Sequence, residues 1–279
     1  MRAWTSASNM SLSRSERSAS RRTARARNTC WERSPVLIAL DTSTSWASVA
    51  LFDGRQVLAE LTWRSHRRSG DELFPMLERV LSLGDSSLSQ VDRIAVATGP
   101  GSFTGIRVGI AAARGLARAA NADVAGVSTL DVLAFPHAPT KLRVCPLLPA
   151  GRGDWYAAFY QERHRVWARR SPFMVGALAD ICRHVGTHTL FVGEFDAGTE
   201  QELRDLLGPR ALFPPASLRL RRAGYLAELG WMAIETRRVP RIDELEPIYV
   251  KQPSVGGSFE QPFAPPPDAA EALGVVRGE

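Results

Sequence analysis

The chain has 279 residues, 44% of them hydrophobic and 23% charged, which suffices for one large or two modest globular bodies with real cores. No stretch approaches the roughly 18 apolar residues of a membrane-crossing helix, and the N-terminus lacks the apolar core and small-residue cleavage site of a secretory signal, so neither a spanning nor a secreted reading is supported. The net charge of +6 is local: residues 1–34 hold eight arginines against two glutamates, while the remainder balances 27 basic with 27 acidic residues and offers no net field to nucleic acid or anionic lipid.

Cys30, Cys145 and Cys182 are odd in number and far apart, so they form neither a disulfide framework nor a C-x-x-C pair and fit a reducing, cytoplasmic setting. Residues 1–34, rich in Arg and Ser and without apolar periodicity, are expected to be a disordered extension. A transit-like peptide and an RNA-grasping arm stay open as alternatives. Order is expected from Pro35. The runs "VLIALDTST", "WASVALF" and "RQVLAELTW" read as strands, the second and third joined by Asp53-Gly54, a strong hairpin signal. "SGDELFPMLERVLSL" reads as an amphipathic helix opened by a capping box from Ser69 to Glu72, with Leu73, Met76, Leu77, Val80 and Leu81 on one stripe. "RIAVAT" is a buried strand, the glycine-bearing segment leads into a helix over 104–119, "DVAGV" is a strand, and a short helix starts at Thr129.

The same order then recurs. "RVCPLL", "WYAAFY" and "RVWARR" read as strands, "MVGALADICRHV" as a helix, "TLFVGEF" as a strand, "GTEQELRDLLG" as a helix, "ALF" as a short strand and "AGYLAELGWMAIETRR" as a helix. The chain therefore divides into the extension 1–34, an N-terminal lobe 35–135, a C-terminal lobe 136–251 and a Gly/Pro-rich flexible tail 252–279.

Two tandem βββαβαβα lobes resemble the α/β fold of the actin-like ATPase and ribonuclease H-like type. "LIALDTSTSWASVALF", "LFPML", "GPGSFTGIRVGIAAARGLA", "GVSTLDVLA" and "LEPIYVK" narrow this, over about residues 36–251, to a resemblance to TsaB (YeaZ-type) proteins. The resemblance implies a subunit of bacterial threonylcarbamoyl-adenosine tRNA modification that dimerises with and supports the catalytic paralogue TsaD. It also implies contact with a TsaE-type ATPase, self-association as a homodimer, and tRNA met only indirectly through the complex, with no membrane partner.

The residues bear on chemistry mainly by what is missing. Gly99, Gly101 and Gly105 fit neither the dinucleotide spacing nor a P-loop, and no lysine follows, so the segment reads as a close-packing helix start and not a phosphate cradle. Asp41, with Thr42 and Ser43, marks a vestigial nucleotide site or, in the plainer reading, a turn closed by its own side chains. The family's second-lobe aspartate falls at Pro149, in Pro149-Ala150-Gly151-Arg152-Gly153, with Asp154 displaced along the chain. Where the paralogue carries metal-binding H-x-x-x-H, this chain has Thr129 and Leu133, and leucine cannot ligate a metal. His184 and His188 are spaced i, i+4 across Gly186 at an expected helix end; His66, His137 and His164 are isolated. Ser102 has no evident base. No catalytic residue, metal or cofactor is assigned, and the expectation is a pseudo-enzyme. The alternative is an independent ATP-dependent small-molecule kinase of the same superfamily. The residues expected to meet the partner lie on the first two helices: Leu73, Met76, Leu77, Val80, Ile106, Ile110, Ala113 and Leu116. The family's histidine before the first helix is absent, Ser69 standing in its place.

Overall fold

The computed structural model describes residues 35–250 except 66–68 and 238–240. The expectations for 1–34, for 252–279, for Cys30, for His66 and for the Ser69 cap lie outside the described residues and side chains. Strands β1 (Val36–Asp41), β2 (Trp46–Phe52) and β3 (Val57–Arg64) form an antiparallel meander. The turn after β2 closes when Asp53 Oδ1 accepts from the backbone N–H of Arg55 and of Gln56, at 2.9 and 2.8 Å. Helix α1 (Ser69–Leu83) leads to β4 (Val91–Ala97), helix α2 (Phe103–Ala120) to β5 (Asp123–Val127), and both strands lie parallel to β1 or to each other. The first sheet thus runs β3-β2-β1-β4-β5.

After the short helix α3 (Thr129–Ala134), strand β6 (Arg143–Gly151) begins a second sheet with the same plan. Strands β7 (Asp154–Ala157) and β8 (Tyr160–Arg163) share one register along β6, with Leu147 opposite Ala157 and Val144 opposite Tyr160. Between them Phe159 turns its backbone away, accepting from Arg170 N–H and donating to Ser171 Oγ. The next strand is likewise interrupted: β9 (Val166–Arg169) pairs with β8, Ser171-Pro172 intervenes, and β10 (Met174–Gly176) pairs with β7. Proline has no N–H to give a ladder. Strands β11 (Thr189–Gly193) and β12 (Ala211–Leu212) complete the parallel side.

One helix expectation is corrected here. "MVGALADICRHV" is not a single helix: its first three residues are strand β10, and helix α4 covers only Leu178–Cys182. The β-branched Val175 favours the strand, Gly176 disfavours a helix through it, and Ala177 gives the helix no side-chain cap. Helix α5 (Ala197–Leu207) starts on Asp196, whose Oδ1 accepts from Thr199 N–H at 2.8 Å.

The terminal helices of the two repeats are exchanged. Helix α3 packs Leu130, Leu133 and Ala134 with Val144, Leu148, Ala158 and Val192 of the second sheet. The last helix, α6 (Ala223–Glu235), packs Ala223, Leu226, Ala227 and Ile234 against Leu37, Ala39, Ala50, Phe52 and Ala95 of the first. The alanine-rich face of that sheet lets the helix come close, and a Cβ at Gly230 would stand 2.3 Å from the Cβ of Ala95. Helices α1 and α2 cover the opposite face of the first sheet, and α4 and α5 cover the remaining face of the second. Beyond α6 the chain crosses back over α2: Leu245 enters the first core, Ile248 N–H donates to Thr98 O, and Arg114 donates to the carbonyls of Ile242, Asp243 and Leu245. Among the described residues no helix is long and apolar enough to cross a membrane.

Candidate functional site

Asp41 stands at the end of β1, fully buried, and its carboxylate is spoken for on both oxygens. Oδ1 accepts from the N–H and the hydroxyl of Ser43, at 2.9 and 2.6 Å, and Oδ2 accepts from Arg221 Nε at 2.9 Å. Arg221 arrives from the segment just before α6 and is itself fully buried. Its Nη1 donates to Glu194 Oε1 at 2.5 Å, both Nη atoms reach Thr44 Oγ1, and Nη2 donates to Trp46 O at 2.9 Å. Glu194 follows β11, so one guanidinium joins the carboxylate at the end of β1 to the carboxylate just after β11. Burial opposes a charge here, but Asp41 and Glu194 outweigh it and hold the guanidinium above its ordinary value.

The turn reading of Asp41 is therefore what the geometry shows, with an ion pair added. Thr42 Oγ1 donates to Gly105 O at 2.7 Å, and Ser102 N–H donates to Ser43 O at 2.7 Å. Here the glycines act: a Cβ at Gly105 would lie 2.0 Å from Thr42 O, and one at Gly109 would lie 2.6 Å from Thr42 Oγ1. They admit the β1–β2 loop against α2, while Ser102 caps the helix by accepting from Gly105 N–H. Sequence reasoning missed Arg221 and Glu194. Arg221 belongs to the run "RLRRAG", which does not reveal which arginine turns inward; its neighbour Arg222 pairs with Glu60 at the surface.

The other candidates are dispersed. Pro149 pairs with Trp155 at the β6–β7 hairpin, next to Asp154. Thr129 and Leu133 are buried on α3, and the Thr129 hydroxyl has no hydrogen-bond partner. Helix α4 ends at Cys182, so His184 and His188 lie beyond it on exposed backbone and do not share a helical face. His137 is buried and its Nε2 lies 3.1 Å from Leu218 O; burial lowers its pKa below the ordinary histidine value. The Cys145 thiol is pushed far up by burial, and the Cys182 thiol is pushed up to about 11. Neither is a ready nucleophile. Among the described residues no group of three or more His, Cys, Asp or Glu is gathered to hold a metal ion.

The expected partner-binding stripe requires a correction. Leu73, Leu77, Val80, Ile106, Ile110, Ala113 and Leu116 all face inward and form the core between α1, α2 and the first sheet; only Met76 keeps part of its surface. The strongest apolar periodicity on a sheet-covering helix marks its own core. The outward face carries other residues: Phe74 (49% exposed), Leu83 and Phe103 (56% exposed), with Ala111, Gly115 and Ala119 exposed at four-residue spacing along α2. A Cβ at Gly115 would meet nothing within 4 Å.

The folded chain superposes on two solved Pseudomonas aeruginosa structures. One, titled an uncharacterized protein with similarity to peptidase YEAZ, gives a TM-score of 0.65 at 26% identity over 78% of this chain and 100% of that one; the other, titled YeaZ, gives 0.62 at 25% over 77% and 100%. In sequence it is 28% identical to the tRNA threonylcarbamoyladenosine biosynthesis protein TsaB of Bacillus subtilis, over 70% of this chain and 86% of that protein. This chain is similar to proteins of the TsaB/YeaZ type. The Escherichia coli TsaB is 37% identical, over 47% of this chain and 58% of the relative. A family model described as TsaD, tRNA N6-adenosine threonylcarbamoyltransferase, matches residues 56–182.

Proposed function

We propose that this chain is a non-catalytic subunit of the machinery that forms threonylcarbamoyladenosine at position 37 of tRNA. It would dimerise with a TsaD-type catalytic subunit, itself contacted by a TsaE-type ATPase, and would pair with a second copy of itself when that subunit is lacking. The observation that carries this reading is the Arg221 guanidinium, which occupies the place between Asp41 and Glu194 where a metal-nucleotide would need free carboxylates. Support for the partner comes from the names of the relatives and from the outward face of α1 and α2, where small residues permit close helix approach.

The test is to mix the chain with its cognate TsaD-type subunit, measure the mass by light scattering, and follow threonylcarbamoyladenosine formation. A defined complex is expected, with modification that needs both proteins. Ala111→Arg and Phe74→Glu, both outward, are expected to weaken the complex more than tenfold without loss of helical signal. Magnesium-dependent ATP turnover by this chain alone would instead support the kinase reading.

A further inference from the structure

The described body is close to neutral in sum but not in distribution, and the second sheet collects cations at one end. Register places them there. Strand β8 runs antiparallel to β6, with Tyr160 opposite Val144, so the β8–β9 turn projects past the start of β6. Arg143 and Arg163 consequently share one face, and Arg170, just beyond β9, lies beside them. Arg143 stacks its guanidinium 3.7 Å from the centre of the Phe159 ring and donates to His184 O at 2.7 Å. Arg170 donates to Gln161 O and Val166 O, at 3.1 and 2.6 Å, and so clamps the hairpin. Burial first, and then the charge of Arg163, lower the pKa of both Arg143 and Arg170, in keeping with the shared face that the register gives them.

The turn itself is His164-Arg165, both exposed, with φ of 54° and 64°. Asn-Gly adopts that conformation more readily, so an imidazole and a guanidinium are carried where neither backbone favours them. Lys141 is exposed two residues before β6. Of the carboxylates nearby, Glu162 faces the other side of β8, and Asp180 pairs with Arg183 at 3.1 Å. None of the large exposed apolar side chains of the described residues falls between 141 and 170, which disfavours a lipid surface or an apolar peptide.

We propose that the β8–β9 turn and the start of β6, through Lys141, Arg143, Arg163, His164, Arg165 and Arg170, form a docking surface for the phosphate backbone of RNA. The choice of RNA as the polyanion rests on the function proposed above; the surface itself rests on the register. It makes this chain a direct contact for the substrate nucleic acid, in place of the purely indirect one that the resemblance implies. Guanidinium groups suit phosphate oxygens, and a raised turn can follow a groove edge without reading bases.

The test is fluorescence anisotropy of an in vitro transcribed tRNA with the full chain across a salt series, comparing the parent with three double variants. Arg163→Glu/Arg165→Glu changes the turn, and Arg55→Glu/Arg152→Glu makes the same charge change at two other exposed hairpins. Using the full chain throughout cancels the contribution of the arginines in 1–34. The turn variant is expected to bind at least tenfold more weakly at low salt, with its log–log salt slope reduced by about 0.7–0.9 for each phosphate it no longer neutralises; the control variant should match the parent. Arg163→Gln/Arg165→Gln should fall between the two. Equal slopes for parent and turn variant, or equal losses in both double variants, would overturn the proposal. Complex formation with the TsaD-type subunit is measured on the same proteins and should be untouched by the turn variant, so failure of that reading is seen separately.

Discussion

Arg221 holds one positive charge between two carboxylates in a place water does not reach, and its removal should be far costlier than that of its neighbour. Arg221→Met leaves Asp41 and Glu194 facing each other without a counter-charge and is expected to cost about 3–5 kcal/mol in urea unfolding. Arg222→Met breaks only the half-exposed pair with Glu60 and should cost under about 1 kcal/mol. Histidine supplies a second test at this scale. Because burial lowers the His137 pKa, its folded state favours the neutral ring. Its contribution to stability is therefore present above about pH 6.5, the unfolded value, and is lost as pH falls below it. His137→Gln is expected to flatten that decline in thermal melts between pH 7 and 5. Burial acts on Asp131 in the opposite sense, raising its pKa, so its contribution is present below about pH 4 and lost as pH rises.

Elements differ in how far their sequence announced them. Strands β1, β2, β4 and β5 and helices α1 and α2 were legible because each is an apolar run or a clear stripe bounded by Gly, Asp or Ser. The face that α1 and α2 turn outward was not, since a stripe of Leu and Ile looks the same whether it meets a partner or the chain's own sheet. Strand β10 was hidden because "MVGALADIC" has a helix-like composition, and only the pairing with β7 reveals the strand. Two glycines of α2 separate packing from surface. Gly105→Ala drives a methyl against Thr42 O and is expected to destabilise by roughly 1–3 kcal/mol or more in urea unfolding, as overpacking does. Gly115→Ala meets open space and should stabilise the lone chain by up to about 1 kcal/mol through helix propensity.

Across the whole molecule, the repeat was legible and the exchange was not. Periodicity gave α3 and α6 an apolar face each but could not say which sheet either would cover; that depends on the fit of small residues such as Ala95 and Gly230, which share no local signal. One face of the first sheet accordingly lacks a cover until α6 is in place, and the core under α1 and α2 is incomplete until Leu245 enters it. A fragment of residues 35–135 is expected to stay unfolded by circular dichroism and amide dispersion, because the face formed by Leu37, Ala39, Phe52 and Ala95 would be bare.

That same return of α6 governs the order in which the protein can mature on the ribosome. The earliest strands to emerge must wait for a helix roughly 180 residues downstream, an interval of about 10–35 s at ordinary elongation rates. During that time their alanine-lined surface is open to nascent-chain chaperones, and any pause between residues 135 and 235 lengthens the exposure.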